Sequence, residues 1–159
     1  MKYDQITLER IEKAHPVLRE ELKELYLECN NNIVPEGKRL RFSDVFRSFD
    51  EQQQLYDQGR TTPGKIVTNA APGQSFHNYG LAFDIVILYG PNFRYASYAV
   101  NALWMQIVNF FKSHGYEWGG DWKFGDYPHL QKTFGYTWQQ LLELKERQEI
   151  LDYPTIDIV

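Results

Sequence analysis

The chain has 159 residues and a formal net charge of −4, a length that allows one domain with its own hydrophobic core. The negative balance argues against a partner bound through nucleic-acid phosphates, and the sequence has no run of roughly 18 apolar residues that could cross a bilayer. Its one cysteine, Cys29, excludes an intrachain disulfide and a metal site built from several thiolates. We therefore expect neither nucleic-acid binding nor membrane insertion.

The first thirty residues predict an amphipathic helix that is broken or restarted at Pro16. Thr7 is the candidate N-cap, although no acidic residue or glutamine follows at the third position to complete a capping box. The apolar residues recur at spacings of three, four and seven: Leu8, Ile11, Leu18, Leu22, Leu25 and Cys29. Cys29 therefore belongs to the apolar face and is interpreted as a small core residue.

A strand and a second helix follow. Leu40, Phe42 and the Val45-Phe46 pair predict a strand that runs into Arg47. Ser48 and Glu51 form a capping box for a helix from Phe49 to about Gln58. The long loop 60–74 contains two Pro-Gly pairs, and loops of that length in small domains usually have a function.

The run from Leu81 to Tyr89 is almost continuously apolar and predicts a strand buried on both faces. Asp84 is its only charged residue. A buried carboxylate is tolerated when it is paired or coordinates a metal, so Asp84 requires a cationic neighbour. The two possibilities are a metal ion and a salt bridge to a lysine or arginine.

The last third of the chain predicts a helix from Ala96 to His114, an aromatic turn at 118–122 and a short strand at 127–131. Thr137 and Gln140 form the capping box of a final helix. This order of elements predicts a single α+β domain over residues 1–159, with one mostly antiparallel sheet and flanking helices. A parallel α/β fold is the alternative.

Two segments concentrate the donors that bind zinc. The first holds His77 and Asp84, and the second holds Asp126 and His129. Catalytic zinc usually takes three protein ligands from His, Asp and Glu and leaves a fourth position for water. Either histidine alone could equally be a buried residue bonded to a backbone carbonyl, but the joint pattern favours a metal site. Since Asp126 and His129 are three residues apart, we expect Pro128 to bend the chain so that both reach one pocket.

These residues resemble the signatures SxHxxGxAxD and (D/E)xxH of the D-Ala-D-Ala metallopeptidase superfamily, the M15 family. The matching segments read Ser75-x-His77-x-x-Gly80-x-Ala82-x-Asp84 and Asp126-x-x-His129. The resemblance extends over essentially the whole chain. It points in particular to the L-alanyl-D-glutamate endopeptidases, which are small phage endolysins and bacterial cell-wall hydrolases, and it implies the Hedgehog/D-Ala-D-Ala peptidase-like fold.

The resemblance implies that His77, Asp84 and His129 are the zinc ligands and that Asp126 is the general base. It also implies that Arg47 stabilises the charge on the reacting carbonyl. This chemistry is consistent, because zinc lowers the pKa of its water to about 7 and a nearby carboxylate can then take the proton.

Several alternatives remain open at this stage. Glu117 and Asp121 are rival carboxylates for the base, and Arg47 could equally form an ordinary ion pair. Ser75 is a candidate to position His77 or the substrate, although serine in a loop often serves only the turn.

The resemblance implies a zinc-dependent peptidoglycan endopeptidase that hydrolyses the stem peptide, with the L-Ala-D-Glu bond as the expected target. The alternatives are a D-Ala-D-Ala dipeptidase or carboxypeptidase, and a non-catalytic zinc-stabilised binding module such as the Hedgehog-type domains. The aspartate at position 126 favours the endopeptidase. We expect a monomer without a signal peptide, held in the bacterial host cytoplasm until it is released to act on the cell wall.

Overall fold

One antiparallel sheet organises the fold of this computed structural model, which describes residues 1–158. Its strands are β1 (Lys38–Asp44), β2 (Ala82–Tyr89), β3 (Tyr95–Ser97), β4 (Glu117–Trp118) and β5 (His129–Gln131). The strand order is β1-β2-β5-β4, and β3 pairs with the far end of β2. The helices in the described range are α1 (Gln5–Ile11), α2 (Arg19–Asn32), α3 (Phe49–Asp57), α4 (Ala102–Ser113) and α5 (Trp138–Arg147). The predicted α+β fold is confirmed.

The two faces of the sheet have different roles. Alternate residues of β2 and β5, including Phe83, Ile85 and Leu130, are buried in the hydrophobic core. Phe83 stacks on Phe42 of β1 with ring centroids 4.2 Å apart. Because side chains alternate along a strand, the residues between these core positions point to the opposite face. That face carries Asp84 and the polar residues of β5.

The start of the first helix differs from the prediction. Asp4, not Thr7, is the N-cap of α1, and its carboxylate accepts a hydrogen bond from the Thr7 backbone N–H at 3.1 Å. The same carboxylate binds the Arg41 guanidinium of β1 through two contacts of 2.9 Å. Thr7 is wholly buried, and its hydroxyl accepts a hydrogen bond from the Phe42 N–H. The N-cap residue is therefore also held by a long-range ion pair.

The predicted helix from Ala96 to His114 is wrong in its first turns. Residues 95–97 form β3 because they pair with residues 87–89 of β2, and α4 begins at Ala102. Asn101 is its N-cap and accepts a hydrogen bond from the Trp104 N–H at 3.0 Å. Both predicted capping boxes are confirmed. Within residues 1–158, no helix is long and apolar enough to cross a membrane.

A short 3₁₀ turn, Phe76–Tyr79, precedes β2 and ends at Gly80. Gly80 has φ of +69°, in the left-handed region that favours glycine. A Cβ atom there would lie 2.3 Å from the His15 backbone nitrogen, which donates a hydrogen bond to the Gly80 carbonyl. This hydrogen bond and the close backbone contact therefore hold the turn against the segment that follows α1.

We expect Gly80→Ala to destabilise the protein more than Gly37→Ala does. Both glycines have positive φ, but a Cβ at Gly37 would meet no described atom within 4 Å. Gly37→Ala should therefore lower the free energy of unfolding only by the cost of a left-handed backbone at a non-glycine residue, about 1–2 kcal/mol. Gly80→Ala should lower it by at least about 1 kcal/mol more, because the added Cβ also displaces the backbone. Urea unfolding of the two variants and the wild type measures these changes, and equal losses of stability would contradict the tight contact with His15.

Candidate metal centre

The sheet and the 3₁₀ turn bring the three predicted metal ligands together. Asp84 of β2 pairs directly with His129 of β5, so their side chains share one face of the sheet. The Asp84 Oδ1 atom lies 3.3 Å from His129 Nδ1 and 3.1 Å from His77 Nε2. One donor atom from each residue lies within 4.8 Å of the others. In the described chain Asp84 has no lysine or arginine partner, so the salt-bridge alternative is wrong.

The outer nitrogen of each imidazole has its own partner. His77 Nδ1 lies 2.8 Å from the Val45 carbonyl oxygen, and His129 Nε2 lies 2.7 Å from Gln131 Oε1. Both partner oxygens accept hydrogen bonds, and both lie closer to the outer nitrogens than Asp84 Oδ1 lies to the inner ones, so a neutral ring carries its proton on the outer nitrogen. The inner nitrogens, His77 Nε2 and His129 Nδ1, then direct their lone pairs at the Asp84 carboxylate.

This arrangement fits a divalent cation. Burial alone would raise the pKa of Asp84, but with no metal bound, hydrogen bonds from protonated His129 and His77 and their positive charge outweigh burial and hold that pKa well below its ordinary value. Asp84 is therefore a carboxylate. Two nitrogen lone pairs and a carboxylate that converge on one point need a positive charge between them, and this donor set is one that catalytic zinc uses.

Asp126 lies beside this cluster at the rim of the same cavity. Its Oδ2 atom is 3.9 Å from His129 Nδ1, and its side chain is 52% exposed. The turn between the two residues confirms the predicted bend near Pro128. The Asp126 backbone can lie this close to residue 119 only because that residue is glycine. A Cβ atom at Gly119 would lie 2.3 Å from the Asp126 carbonyl oxygen. Partial burial raises the pKa of Asp126 above its ordinary value.

The cavity has a volume of about 540 Å³. One part of its lining comes from the long loop, through Val67, Thr68 and Ala70. The Trp122 ring also borders it, with its centroid 5.2 Å from that of His129. The long loop therefore shapes one side of the cavity.

Arg47 lines this cavity as well, and its guanidinium is held in place on two sides. It forms an ion pair with Asp44, with Nε 3.1 Å from Oδ2, and it donates a hydrogen bond to Gln52 Oε1 at 3.0 Å. The Arg47 backbone N–H bonds the His77 carbonyl at 3.0 Å. The ion pair raised as an alternative is therefore present, and it holds the arginine at the cavity wall.

Ser75 caps the turn that carries His77. Its Oγ atom accepts a hydrogen bond from the His77 backbone N–H at 3.2 Å. The rival carboxylates lie elsewhere: Glu117 Oε2 accepts a hydrogen bond from Gln131 at 3.3 Å, and Asp121 pairs with Lys112 at 2.8 Å. Neither borders the cavity, whereas Asp126 does.

Gln52 is a buried polar residue outside the predicted site motifs. Its Oε1 atom accepts hydrogen bonds from Arg47 and Asn78, and its Nε2 donates to the Ala70 carbonyl at 2.8 Å. It therefore joins α3, the turn before β2 and the long loop. The sequence contains one indication that Gln52 is buried. It lies three residues after Phe49 and four before Tyr56, on the same face of the helix as these aromatic residues.

The chain is similar to known proteins in sequence and in fold. A sequence model of an M15 peptidase family, described as D-alanyl-D-alanine carboxypeptidase, matches residues 68–132. The chain is 41% identical over 124 residues to the peptidoglycan L-alanyl-D-glutamate endopeptidase CwlK of Bacillus subtilis (strain 168), and the match covers 74% of this chain and 72% of that protein. The crystal structure of the Serratia marcescens L-Ala D-Glu endopeptidase ChiX has the same fold, with a TM-score of 0.58 and 23% identity, over 84% of this chain and 91% of that one.

Proposed function

Because the chain belongs to the M15 family of metallopeptidases, we propose that it is a zinc-dependent peptidoglycan endopeptidase that hydrolyses the L-Ala-D-Glu bond of the stem peptide. The observation that carries this proposal is the convergence of His77, Asp84 and His129 in a cavity that Asp126 also borders. The identity to CwlK supports the choice of bond.

His77 Nε2, His129 Nδ1 and the Asp84 carboxylate are the atoms that would hold the metal. When bound, zinc supplies a Lewis acid that activates water near neutral pH and polarises a carbonyl. The protein's part is to present the two nitrogens unprotonated, which the partners of the outer nitrogens achieve.

Asp126 is the proposed general base. It lies beside the ligand cluster without being one of its three close donors, and half of its side chain is open to the cavity. From this position the carboxylate accepts a proton from the attacking water and delivers it to the leaving amine.

Arg47 is proposed to stabilise the negative charge that develops on the carbonyl oxygen. Three of its five N–H groups bond Asp44 and Gln52 in the described chain, which leaves two for a substrate oxygen. Because those partners fix the guanidinium, little reorganisation is needed when the charge appears.

A second candidate function is that of a D-alanyl-D-alanine carboxypeptidase, which is the activity named for the matching family model. That reaction requires a cation to bind the free terminal carboxylate of the substrate. Among the described residues that line the cavity, Arg47 is the only lysine or arginine, and since it is assigned to the reacting carbonyl, no second cation remains for a terminal carboxylate. We therefore favour the endopeptidase. We further propose that it acts as a monomer, since one chain supplies the whole site.

Two substitutions should separate ligand from base. His77→Ala should lose both zinc and activity, whereas Asp126→Ala should retain about one zinc per chain and lose about 10²–10⁴-fold in rate. Metal analysis and a wall-hydrolysis assay measure the two properties. Asp121→Ala is the matched control, because that carboxylate pairs with Lys112 outside the cavity. Retained turnover in Asp126→Ala would remove Asp126 from the mechanism.

Arg47→Ala should impair turnover more than substrate binding. Its proposed partner is a charge present only in the transition state, so kcat should fall about 10²–10³-fold while KM changes little. Arg47→Lys keeps the charge but not the planar geometry and should recover part of the rate. A loss confined to KM would assign Arg47 to ground-state binding instead.

Digestion of purified peptidoglycan should release fragments with a new N-terminal D-Glu, which mass spectrometry detects. The same preparation should release little D-Ala from free D-Ala-D-Ala, because the cavity offers no second cation for a terminal carboxylate. Efficient release of D-Ala together with intact L-Ala-D-Glu bonds would reverse this choice and leave a carboxypeptidase.

A further inference from the structure

Behind the metal centre, Gln131 and Glu117 extend the row of polar side chains on the same face of the sheet. Gln131 lies two residues after His129 on β5, and Glu117 of β4 is its direct cross-strand partner. Gln131 Oε1 is 2.7 Å from His129 Nε2, and Gln131 Nε2 is 3.3 Å from Glu117 Oε2. The three side chains therefore form one hydrogen-bonded row that ends at a metal ligand.

The direction of these hydrogen bonds follows from the chemistry of the groups. An ionised carboxylate only accepts, so the amide NH₂ of Gln131 must face Glu117. The amide oxygen of Gln131 then faces His129, and it also only accepts. His129 Nε2 lies 2.7 Å from this oxygen, whereas Nδ1 lies 3.3 Å from Asp84 Oδ1, so the shorter hydrogen bond places the proton of a neutral His129 on Nε2 and leaves the Nδ1 lone pair directed at Asp84.

We propose that Gln131, oriented by Glu117, is a positioning residue that sets the tautomer of His129 and thereby keeps Nδ1 available to the metal. The inference rests on the proposed function only in naming His129 as a zinc ligand. The assignment of the tautomer rests on the hydrogen bonds alone.

Burial makes Gln131 difficult to replace with water. Gln131 and His129 are each 6% exposed. Without the Gln131 oxygen, the buried Nε2–H of His129 would lose its acceptor. The tautomer with the proton on Nδ1 would then be lower in free energy. There it would meet Asp84 Oδ1 at 3.3 Å and occupy the atom that binds the metal. A cation would then have to displace this proton.

The two histidines differ in how they are fixed. His77 is oriented by the backbone carbonyl of Val45, which no side-chain substitution removes. His129 depends on two side chains, so its tautomer can be altered by mutation. Groups that orient a metal ligand typically contribute 10–100-fold to metal affinity or activity.

Three proteins test the proposal: the wild type, Gln131→Leu and the double variant Gln131→Glu with Glu117→Gln. Leucine removes the acceptor at similar volume, so zinc affinity should fall about 10–100-fold in competition with a chromophoric chelator. The double variant exchanges the amide and the carboxylate. Its carboxylate at position 131 still accepts from His129 and its amide at position 117 still donates, so zinc affinity should return to about the wild-type value.

Nitrogen-15 NMR of the histidine rings in zinc-free protein, recorded at a pH high enough that the shifts themselves show each ring to be neutral, reports the tautomer directly. The Nε2–H form is expected for His129 in the wild type and the double variant, and a shift towards Nδ1–H is expected in Gln131→Leu.

Two results would overturn the proposal: the Nδ1–H form of His129 in the wild type, or a zinc affinity that is unchanged in Gln131→Leu. Weaker zinc binding in Gln131→Leu with the Nε2–H form retained would also overturn it, because the effect would then be structural. If the wild type bound no zinc but showed the Nε2–H form that shifts in Gln131→Leu, the tautomer assignment would stand and the zinc function would fail.

Discussion

The cross-strand pairing of Asp84 with His129 is the constraint on which the site depends. In this register Phe83 and Leu130 enter the hydrophobic core, so the carboxylate and the imidazole must share the opposite face. A slip of one residue would bury the charged groups in the core and expose the apolar ones. The hydrophobic effect that stabilises the sheet therefore also fixes the relative positions of two metal ligands, and only His77 has to be supplied from outside the strands.

A cluster of acceptors on one face of a sheet is unfavourable unless each group has a partner. Here the site is surrounded by such partners. Val45 and Gln131 take the outer imidazole protons, and Arg47 neutralises Asp44, the cross-strand neighbour of Asp84. The same contacts that offset the cost of burial also determine which atoms point into the cavity, so the stability of this region and the chemistry of the site have a common physical origin.

The sequence predicts the metal donors because their types and spacing are local, and because a carboxylate inside an apolar strand requires a cation. It predicts α3 and α5 for the same reason, since a capping box is contained in four residues. It does not predict the N-cap Asp4, which Arg41 also binds, or the early residues of the predicted fourth helix, which pair with β2. The helical spacing of Gln52 indicates that it is buried, but its hydrogen-bond partners, like those of Gln131, are brought close only by the fold.

Crystallography with anomalous diffraction at the zinc absorption edge tests the proposed zinc site. We expect one zinc peak in the cavity, about 2.0–2.1 Å from His77 Nε2 and from His129 Nδ1, with an Asp84 oxygen completing the protein ligands and the Asp126 carboxylate nearby. A zinc-loaded crystal with no peak at these three residues, or with the metal bound through His77 Nδ1 or His129 Nε2, would contradict it.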